Sequence, residues 1–369
     1  MKQPQLKLRG VEAARGIAAM LVVALHITAI LALPSTYGTR VFGGFFLFGR
    51  AGADFFFVLS GFIIALVHSA DIGQPRQVPA YASRRLWRIY PIYLLVSLFY
   101  QALLFISPSR EGAERVWSHV LMGWALIPEA AIPVLEVGWS LRHEMLFYTL
   151  FGLLLLHRRL GQTVLAAWGL GIAWNGLTFV LTGSWYFTGA WHLVVFRIFN
   201  LEFFFGMAVA MLCRRPAWRP VTLLVAGTAL FLLNGMTESF GPPAHEWPPL
   251  HLTYALASAM ALYGLAMLDG GGQLAVPRWL VEIGGASYSI YLVHVPVALL
   301  LGYGLRLLGP AIPIPLEAAF AILLTLAVTA GLLLSWLVEQ PLLRWSRKHT
   351  PARRSPEQAF SVLSSDDDQ

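Results

Sequence analysis

The feature that most constrains this chain is a series of long apolar segments that recurs along almost its whole length. An α-helix needs about 17–25 predominantly apolar residues to cross the hydrocarbon core of a bilayer. Segments of this length occur at 14–33, 46–67, 86–106, 137–156, 162–182, 191–213, 219–235, 251–268, 283–308 and 316–338. The sequence therefore predicts an all-α, polytopic integral membrane protein with about ten transmembrane helices.

Composition excludes a water-soluble protein. Of the 369 residues, 57% are hydrophobic and only 12% are charged, whereas soluble domains carry about 25% charged residues. The single cysteine, Cys213, excludes an intramolecular disulfide framework and a cysteine-built metal site. The net charge of +7 fits arginine-rich loops on one side of a membrane, so no nucleic-acid partner is predicted.

The distribution of basic residues predicts the topology. Most of the 26 Lys and Arg residues fall in segments or helix ends that face the cytoplasm if the N-terminus is inside. This bias predicts two cytoplasmic termini, an even number of spans and a place in the cytoplasmic (inner) membrane. A cleaved signal peptide is the alternative for the first span, but the apolar stretch from Ile17 to Leu33 exceeds the usual core of about 7–15 residues.

The predicted spans leave no extramembrane stretch long enough for a second catalytic domain. Residues 1–345 are predicted to form one membrane-embedded domain. Residues 346–369 are rich in Ser, Arg and Asp, a composition that predicts a disordered cytoplasmic tail. Any chemistry is therefore expected in the membrane part.

Two ionisable residues of the first span share one face of the predicted helix. His26 follows Arg15 by eleven residues, a rise of about 16 Å and a rotation that returns to within about 20° of the start. Arg15 is therefore expected at the cytoplasmic mouth and His26 near the middle of the membrane, on the same stripe.

Other spans place ionisable groups at a similar depth. Charged groups inside a membrane are costly and commonly mark function. Each has a bland alternative: a buried histidine can bond a nearby carbonyl, and Asp54 can pair with Arg50 one turn earlier. Taken together, the groups predict a polar intramembrane cavity lined by His26, Asp54, Glu144, Glu202 and His294.

Three arginines, Arg84, Arg85 and Arg88, stand where the third predicted span begins. Arginine near a membrane surface often serves only as a positive-inside anchor. Its planar guanidinium also suits phosphate, which it can bind through two parallel hydrogen bonds. The functional alternative is therefore a cytosolic substrate that carries phosphate.

The motifs resemble those of membrane-bound acyltransferase family 3, in order and over about residues 8 to 345. The matching segments are Arg15 with His26, Phe55 to Phe62, Arg84 to Pro91, Trp139 to Tyr148, Glu202 to Gly206, Ala286 to His294 and Glu339 to Pro341. Residues 137–145 look closest to the exopolysaccharide-acetylating branch. Two features depart from the family pattern: Glu12 replaces a common Asp, and no SGNH-hydrolase-like domain follows the membrane part.

The resemblance implies an O-acyltransferase that takes an acyl group, usually acetyl, from cytosolic acyl-CoA to a hydroxyl of a cell-surface saccharide or glycolipid. It implies acetyl-CoA or another acyl-CoA as the donor, and no metal is expected. The oligomeric state, the acceptor and the membrane face that receives the acyl group stay open.

The resemblance also implies residue roles. His26 would be the general base or would carry the acyl group as an acyl-imidazole, with Glu144 orienting its ring. The donor phosphates would be held by Arg84, Arg85 and Arg88, and Arg15 would bind the same donor or line its route. The residues expected to line the cavity or bind the acceptor are Asp54, Ser60, Trp139, Glu202 and His294.

A transporter or flippase of a glycan or lipid-linked sugar is the main alternative. Such proteins often show internal repeats with interrupted helices in matched positions, and no such repeat is found between the two halves of the chain. A glycan polymerase would carry a large outer loop with catalytic charges, whereas the stretches 107–136 and 236–250 contain no compact acidic or basic motif.

Overall fold

The computed structural model describes residues 8–106, 116–129, 131–241, 247–308 and 314–349. Within these ranges the chain is helical and contains no strand, as predicted. The helices are α1 (Arg9–Leu31), α2 (Ala51–His68), α3 (Val78–Ile106), α4 (Trp117–Trp124), α5 (Gly138–Leu156), α6 (Arg158–Thr182), α7 (Ala190–Val195), α8 (Asn200–Leu212), α9 (Pro220–Phe240), α10 (Pro248–Gly270), α11 (Arg278–Gly285), α12 (Ser287–Leu308), α13 (Leu316–Leu334) and α14 (Gln340–His349).

Eight helical stretches of the described chain are long and apolar enough to cross a membrane, which confirms an integral membrane protein. Two of the predicted spans are not among these eight. The segment 137–156 corresponds to α5, which has 19 residues, and the segment 191–213 contains the six residues of α7 and the 13 of α8. The count of ten stays a prediction.

The interruption between α7 and α8 has a local cause. The side-chain amide of Asn200 donates hydrogen bonds to the carbonyls of Val194 and Val195, at 2.9 and 3.0 Å. These carbonyls lie at the end of a helix, where they lack partners within the helix. The amide satisfies them and so stabilises a break that hydrophobicity alone did not reveal.

The other boundaries differ by a few residues. The predicted span 283–308 divides at Ala286 into the end of α11 and the whole of α12. A π-helical turn, Ser335–Glu339, joins α13 to α14. Helix α14 reaches His349, beyond the predicted end of the membrane domain at 345, and the ring of Trp345 lies 5.0 Å from that of Trp87. Residues 350–369 of the predicted tail lie outside the described residues.

The helices are unequally buried. In the stretch that contains α2, 72% of the apolar window is buried, against 11% in α9. Leu170 and Leu181 on α6 are 72% and 73% exposed, as expected where leucine faces lipid rather than protein. Helices α1, α2, α10 and α12 therefore form the inner part of the bundle, and α6 and α9 lie on its outside.

Helices α2 and α8 pack at very close range through two glycines. A Cβ atom on Gly61 would lie 2.0 Å from the carbonyl oxygen of Phe203, and one on Gly206 would lie 1.8 Å from that of Val58. Small residues allow helix backbones to approach in this way inside membranes. The contact explains why both motif segments contain a glycine, and it holds Asp54 and Glu202 in fixed register.

Candidate active site

A pair of histidines joins α1 and α12 in the inner part of the bundle. The Nδ1 atom of His26 lies 3.2 Å from Nε2 of His294, and the ring centroids are 4.9 Å apart. His294 is fully buried, whereas His26 is half-buried. Both are predicted site residues, and the structure brings them into direct contact.

The neighbours of the two rings assign their protons. Nδ1 of His294 lies 3.1 Å from the carbonyl of Ile290, an acceptor, so this nitrogen carries the proton and Nε2 of neutral His294 accepts. Nδ1 of His26 faces two acceptors, the carbonyl of Val22 at 2.8 Å and Nε2 of His294. It therefore carries a proton, and Nε2 of neutral His26 is left with a free lone pair.

This tautomer has chemical consequences. A neutral imidazole whose Nε2 lacks a proton can accept a proton from a hydroxyl or attack a carbonyl carbon. No hydrogen bond from a described residue occupies Nε2 of His26, and its ring is partly accessible. The arrangement suits a general base or a nucleophile.

Glu144 does not orient this imidazole, contrary to expectation. Its Oε1 accepts hydrogen bonds from the hydroxyl of Ser60 at 2.8 Å and from the hydroxyl of Tyr148, one turn along α5. The orienting contact to His26 comes from His294 instead. Glu144 links α2 to α5, and Ser60 is its direct partner rather than an isolated lining residue.

Helices α5 and α12 are connected by a pair of hydroxyl groups close to the histidines. Ser140 Oγ and Tyr291 Oη are 2.7 Å apart, and the Tyr291 ring lies 6.0 Å from the ring of His294. Tyr291 stands three residues before His294, so both lie on one face of α12. Neither Ser140 nor Tyr291 was predicted as a site residue, although both lie in the matched motifs.

Trp139 belongs to an aromatic cluster rather than to an open wall. Its ring lies 6.0 Å from Phe57, 5.8 Å from His143 and 5.5 Å from Phe199. The indole is half-buried among these rings. Its contacts indicate that it packs α5 against α2 and the segment before α8.

One end of the bundle, where α1 and α3 begin and α2 and α5 end, carries four arginines: Arg15, Arg84, Arg85 and Arg88. We call it the arginine-rich end. Arg85 Nη2 lies 3.3 Å from His68 Nε2, and its guanidinium lies over the rings of Tyr81 and Tyr148 at 5.8 and 5.4 Å. No carboxylate of the described residues forms an ion pair with Arg85. Its charge is therefore available to an anion.

The other arginines differ in their partners. Arg88 forms an ion pair with buried Glu339 at 3.1 Å, and Arg15 pairs with Glu12 at 2.9 Å. Arg84 is half-buried beside Arg85. Glu339 stands in the π-helical turn, where its other oxygen also accepts from the hydroxyls of Ser289 and Ser335, at 2.7 and 3.0 Å. Arg88 is thus the most constrained of the predicted phosphate ligands.

Asp54 and Glu202 contact each other, and both lie next to His251 rather than joining the histidine pair in one cavity as predicted. Asp54 Oδ1 lies 2.7 Å from Nδ1 of His251 on α10, and Glu202 Oε1 lies 3.8 Å from the same nitrogen. Arg50, considered as a partner for Asp54, forms its ion pair with Glu238 at 2.5 Å. Sequence reasoning missed His251, whose only signal was its position at the start of a predicted span.

The five ionisable groups that were predicted to line one cavity therefore lie in three separate groups: the histidine pair, Glu144 with Ser60, and Asp54 with Glu202 and His251. A separate cavity of about 120 Å³ lies farther along α1 and α12, away from the arginine-rich end. Its walls include Ile30, one turn beyond His26, and Leu299. Its lining also includes the polar residues Thr36 and Tyr303.

Comparison with known proteins gives consistent results. A family model described as an acyltransferase domain matches residues 8–337. The exopolysaccharide production protein ExoZ of Rhizobium meliloti (strain 1021) is 30% identical, over 83% of this chain and 93% of its own length. The acyltransferase MdmB of Streptomyces mycarofaciens is 28% identical, over 84% of this chain and 85% of its own length. No solved structure matches.

Proposed function

This chain belongs to membrane-bound acyltransferase family 3, and from that premise we propose that it transfers an acetyl group from acetyl-CoA to a hydroxyl of a cell-surface saccharide. That it is a membrane O-acyltransferase follows from the family, which also argues against a transporter or flippase. The saccharide acceptor is supported by the likeness to a protein of exopolysaccharide production. The observation that carries the proposal is the accessible His26 with an unprotonated Nε2 inside the bundle.

The donor binds at the arginine-rich end, which faces the cytoplasm in this proposal. Arg85 and Arg84 hold its phosphates, since no carboxylate of the described residues competes for Arg85 and its guanidinium lies over two aromatic rings. Arg15 lies on the same continuous helix as His26 and lines the route inward. Arg88 contributes only as one half of its pair with Glu339.

The pantetheine arm runs along α5 towards the histidines. Tyr148, Glu144 and Ser140 stand on successive turns of that helix, between the guanidinium of Arg85 and the ring of Tyr291. Glu144 acts here by holding the hydroxyls of Ser60 and Tyr148 in place along the route. It is a positioning residue in this proposal.

His26 carries the proton transfer. The acceptor hydroxyl gives its proton to Nε2 of His26 while its oxygen attacks the thioester carbonyl carbon. The tetrahedral intermediate then collapses, the carbon–sulfur bond breaks, and the leaving thiolate takes the proton back from the imidazolium. An acyl-imidazole on Nε2 is the two-step variant, in which the acceptor attacks second.

His294 fixes the reactive tautomer. Its Nε2 accepts the Nδ1 proton of His26 and turns the opposite nitrogen towards the reacting groups. The same contact stabilises the imidazolium as it forms, which is the role that a carboxylate has behind a catalytic histidine elsewhere. The acceptor approaches from the cavity beyond Ile30 and Leu299.

Transfer of radiolabel tests the proposal directly. Purified protein in lipid vesicles is incubated with acetyl-CoA labelled in the acetyl group and with a panel of cell-surface glycans. We expect label in an alkali-labile ester on a glycan, and none with heat-treated protein. Label that enters no saccharide but enters a lipid or a small hydroxylated molecule would overturn the acceptor assignment. Label that stays on coenzyme A with every acceptor would overturn the proposal as a whole.

A further inference from the structure

Three ionisable side chains from three helices converge away from the histidine pair. Asp54 of α2, Glu202 of α8 and His251 of α10 each direct one ligand atom to a common point, with these atoms within 4.8 Å of one another. The residues are 2%, 0% and 1% exposed. We call them the three-helix cluster. The reaction proposed above uses none of them.

The buried carboxylate of Glu202 carries the strongest indication of a ligand. Both of its oxygens are shielded from solvent, no N–H group of the described residues donates to either one, and its side-chain contact is with the second carboxyl, that of Asp54. Its Oε1 nevertheless points towards Nδ1 of His251, 3.8 Å away. A buried carboxylate needs a hydrogen-bond donor or a counter-charge, because burial removes the water that would otherwise solvate it.

The neighbouring arginine cannot balance every carboxylate, because Asp54, Glu202 and Glu238 share its charge. Arg50 is in an ion pair with Glu238 at 2.5 Å, and the other oxygen of Glu238 accepts from the hydroxyl of Tyr254 at 2.8 Å. Three carboxylates, those of Asp54, Glu202 and Glu238, therefore share one arginine and one histidine, and two negative charges remain without a balancing cation when that histidine is neutral. A divalent cation carries two positive charges and would therefore neutralise two carboxylates.

We propose that Asp54, Glu202 and His251 bind one divalent transition-metal ion, with Zn²⁺ and Mn²⁺ as the fitting choices. Carboxylate and imidazole ligands suit these ions. Two ligands of one ion at about 2.1 Å lie at most about 4.2 Å apart. The separations of Asp54 and Glu202 from the histidine nitrogen, 2.7 and 3.8 Å, fall within that limit. The most distant ligand atoms would close by about half an ångström to bind one ion.

The role of the ion is structural. It would tie α2 to α10 and α8, and the glycine contact between α2 and α8 already holds the two carboxylates in register. The steps of acyl transfer proposed above involve none of these three side chains, so the ion has no role in them. The inference can therefore fail or hold independently of the proposed function.

Metal content of the whole protein tests the inference. Tag-free protein in detergent is saturated with Zn²⁺ or Mn²⁺ in chelator-free buffer, desalted and measured by inductively coupled plasma mass spectrometry. We expect about one ion per chain, and visible d–d absorption after loading with Co²⁺ instead. Wild-type protein that stays below about a tenth of an ion per chain overturns the proposal. The charge would then be balanced by a proton shared between Asp54 and Glu202.

Two variants locate the ion. Glu202→Gln and His251→Asn preserve side-chain shape and should each lower the metal content at least tenfold. Asp269→Asn is the matched control, because Asp269 is a carboxylate of the same helix that accepts from the backbone amides of Gly10 and Val11, outside the cluster. Metal retained by both cluster variants, or lost equally by the control, contradicts the site. If the variants fail to fold, the wild-type measurement still decides.

Discussion

At the scale of single residues, hydrogen bonds determine which groups can react. His26 is held by the carbonyl of Val22 and by Nε2 of His294, and both contacts require a proton on the same nitrogen. The opposite nitrogen is thereby prepared to accept one. The guanidinium of Arg85 can bind an anion because its neighbours in the described chain are aromatic rings rather than carboxylates.

Replacing His26 should abolish most of the acyl-transfer activity while leaving the structure nearly unchanged. His26→Ala should lower acyl transfer by about 10²–10⁴-fold, the loss expected when a general base is removed. Expression, membrane insertion and coenzyme A binding, measured by calorimetry, should stay near wild type because the ring is only half-buried. Near-normal turnover in vesicles would refute the assigned mechanism.

His294 should affect turnover rather than donor binding. His294→Ala leaves the imidazole of His26 in place without its orienting acceptor, so kcat should fall by up to about 10²-fold while the donor KM stays unchanged. The double variant should be hardly slower than His26→Ala, since both residues serve one step. Steady-state kinetics of the two single variants and the double variant measure this. Losses that multiply would show that His294 acts separately.

Arg85→Lys should weaken donor binding although the charge is kept. Lysine lacks the planar fork, and losing one charge-assisted hydrogen bond of about 1.5 kcal/mol raises the donor KM by about tenfold. Arg278→Lys is the matched control, since that arginine is 88% exposed and pairs with Glu282 one turn away. Equal donor KM values for both variants would show that Arg85 serves only as a membrane anchor.

At the scale of helices, close packing of backbones sets the positions of the side chains. The crossing of α2 and α8 is possible only because neither Gly61 nor Gly206 carries a Cβ atom. The two helices that cross here also carry site residues: Asp54 and Ser60 are on α2, and Glu202 is on α8. A change in its geometry would therefore shift both the Glu144–Ser60 contact and the three-helix cluster.

A methyl group at this crossing should destabilise the bundle. Gly206→Ala places a Cβ 1.8 Å from the carbonyl oxygen of Val58, so overpacking should cost at least about 1–3 kcal/mol and lower the midpoint of thermal unfolding in detergent. Gly304→Ala on α12 is the control, because no atom of the described residues lies within 4 Å of the added atom. It should unfold at or slightly above the wild-type temperature. Identical midpoints for both variants would contradict the packing argument.

At the scale of the whole molecule, the arginine-rich end and the small cavity lie at opposite ends of α1. Ile30 and Leu33 line the cavity near the last turn of that helix, whereas Arg15 stands near its first turns. The histidine pair lies between them. This order fits a donor and an acceptor that approach the reacting centre from opposite ends.

The two ends should differ in their access to water-soluble reagents. In a Cys213→Ala background, Arg84→Cys places the single thiol at the arginine-rich end. A membrane-impermeant maleimide should label it in inside-out vesicles, and coenzyme A should protect it. Labelling only in right-side-out vesicles would show that the arginine-rich end faces the outside, opposite to the proposed orientation. Matched labelling of Thr36→Cys should show the opposite preference, because Thr36 lines the cavity at the other end.

The sequence by itself determined the class of protein and the local geometry. Apolar length defined the membrane helices, and 3.6 residues per turn placed Arg15 and His26 on one continuous helix and Glu144 beside Tyr148. The motifs indicated the family, which the family model confirms. These properties depend on composition or on neighbours within a turn or a single helix, so they can be read directly along the chain.

The tertiary structure alone decided the partners. His26 meets His294 across 268 residues, Arg88 meets Glu339 across 251, and Asp54 meets His251 across 197. Helical periodicity says which face a side chain occupies, but not which helix packs against that face or at what depth. Those relations depend on where backbones can approach closely, as α2 and α8 do at their glycines. For that reason the sequence assigned the orienting contact of His26 to Glu144, and only the packed bundle assigned it to His294.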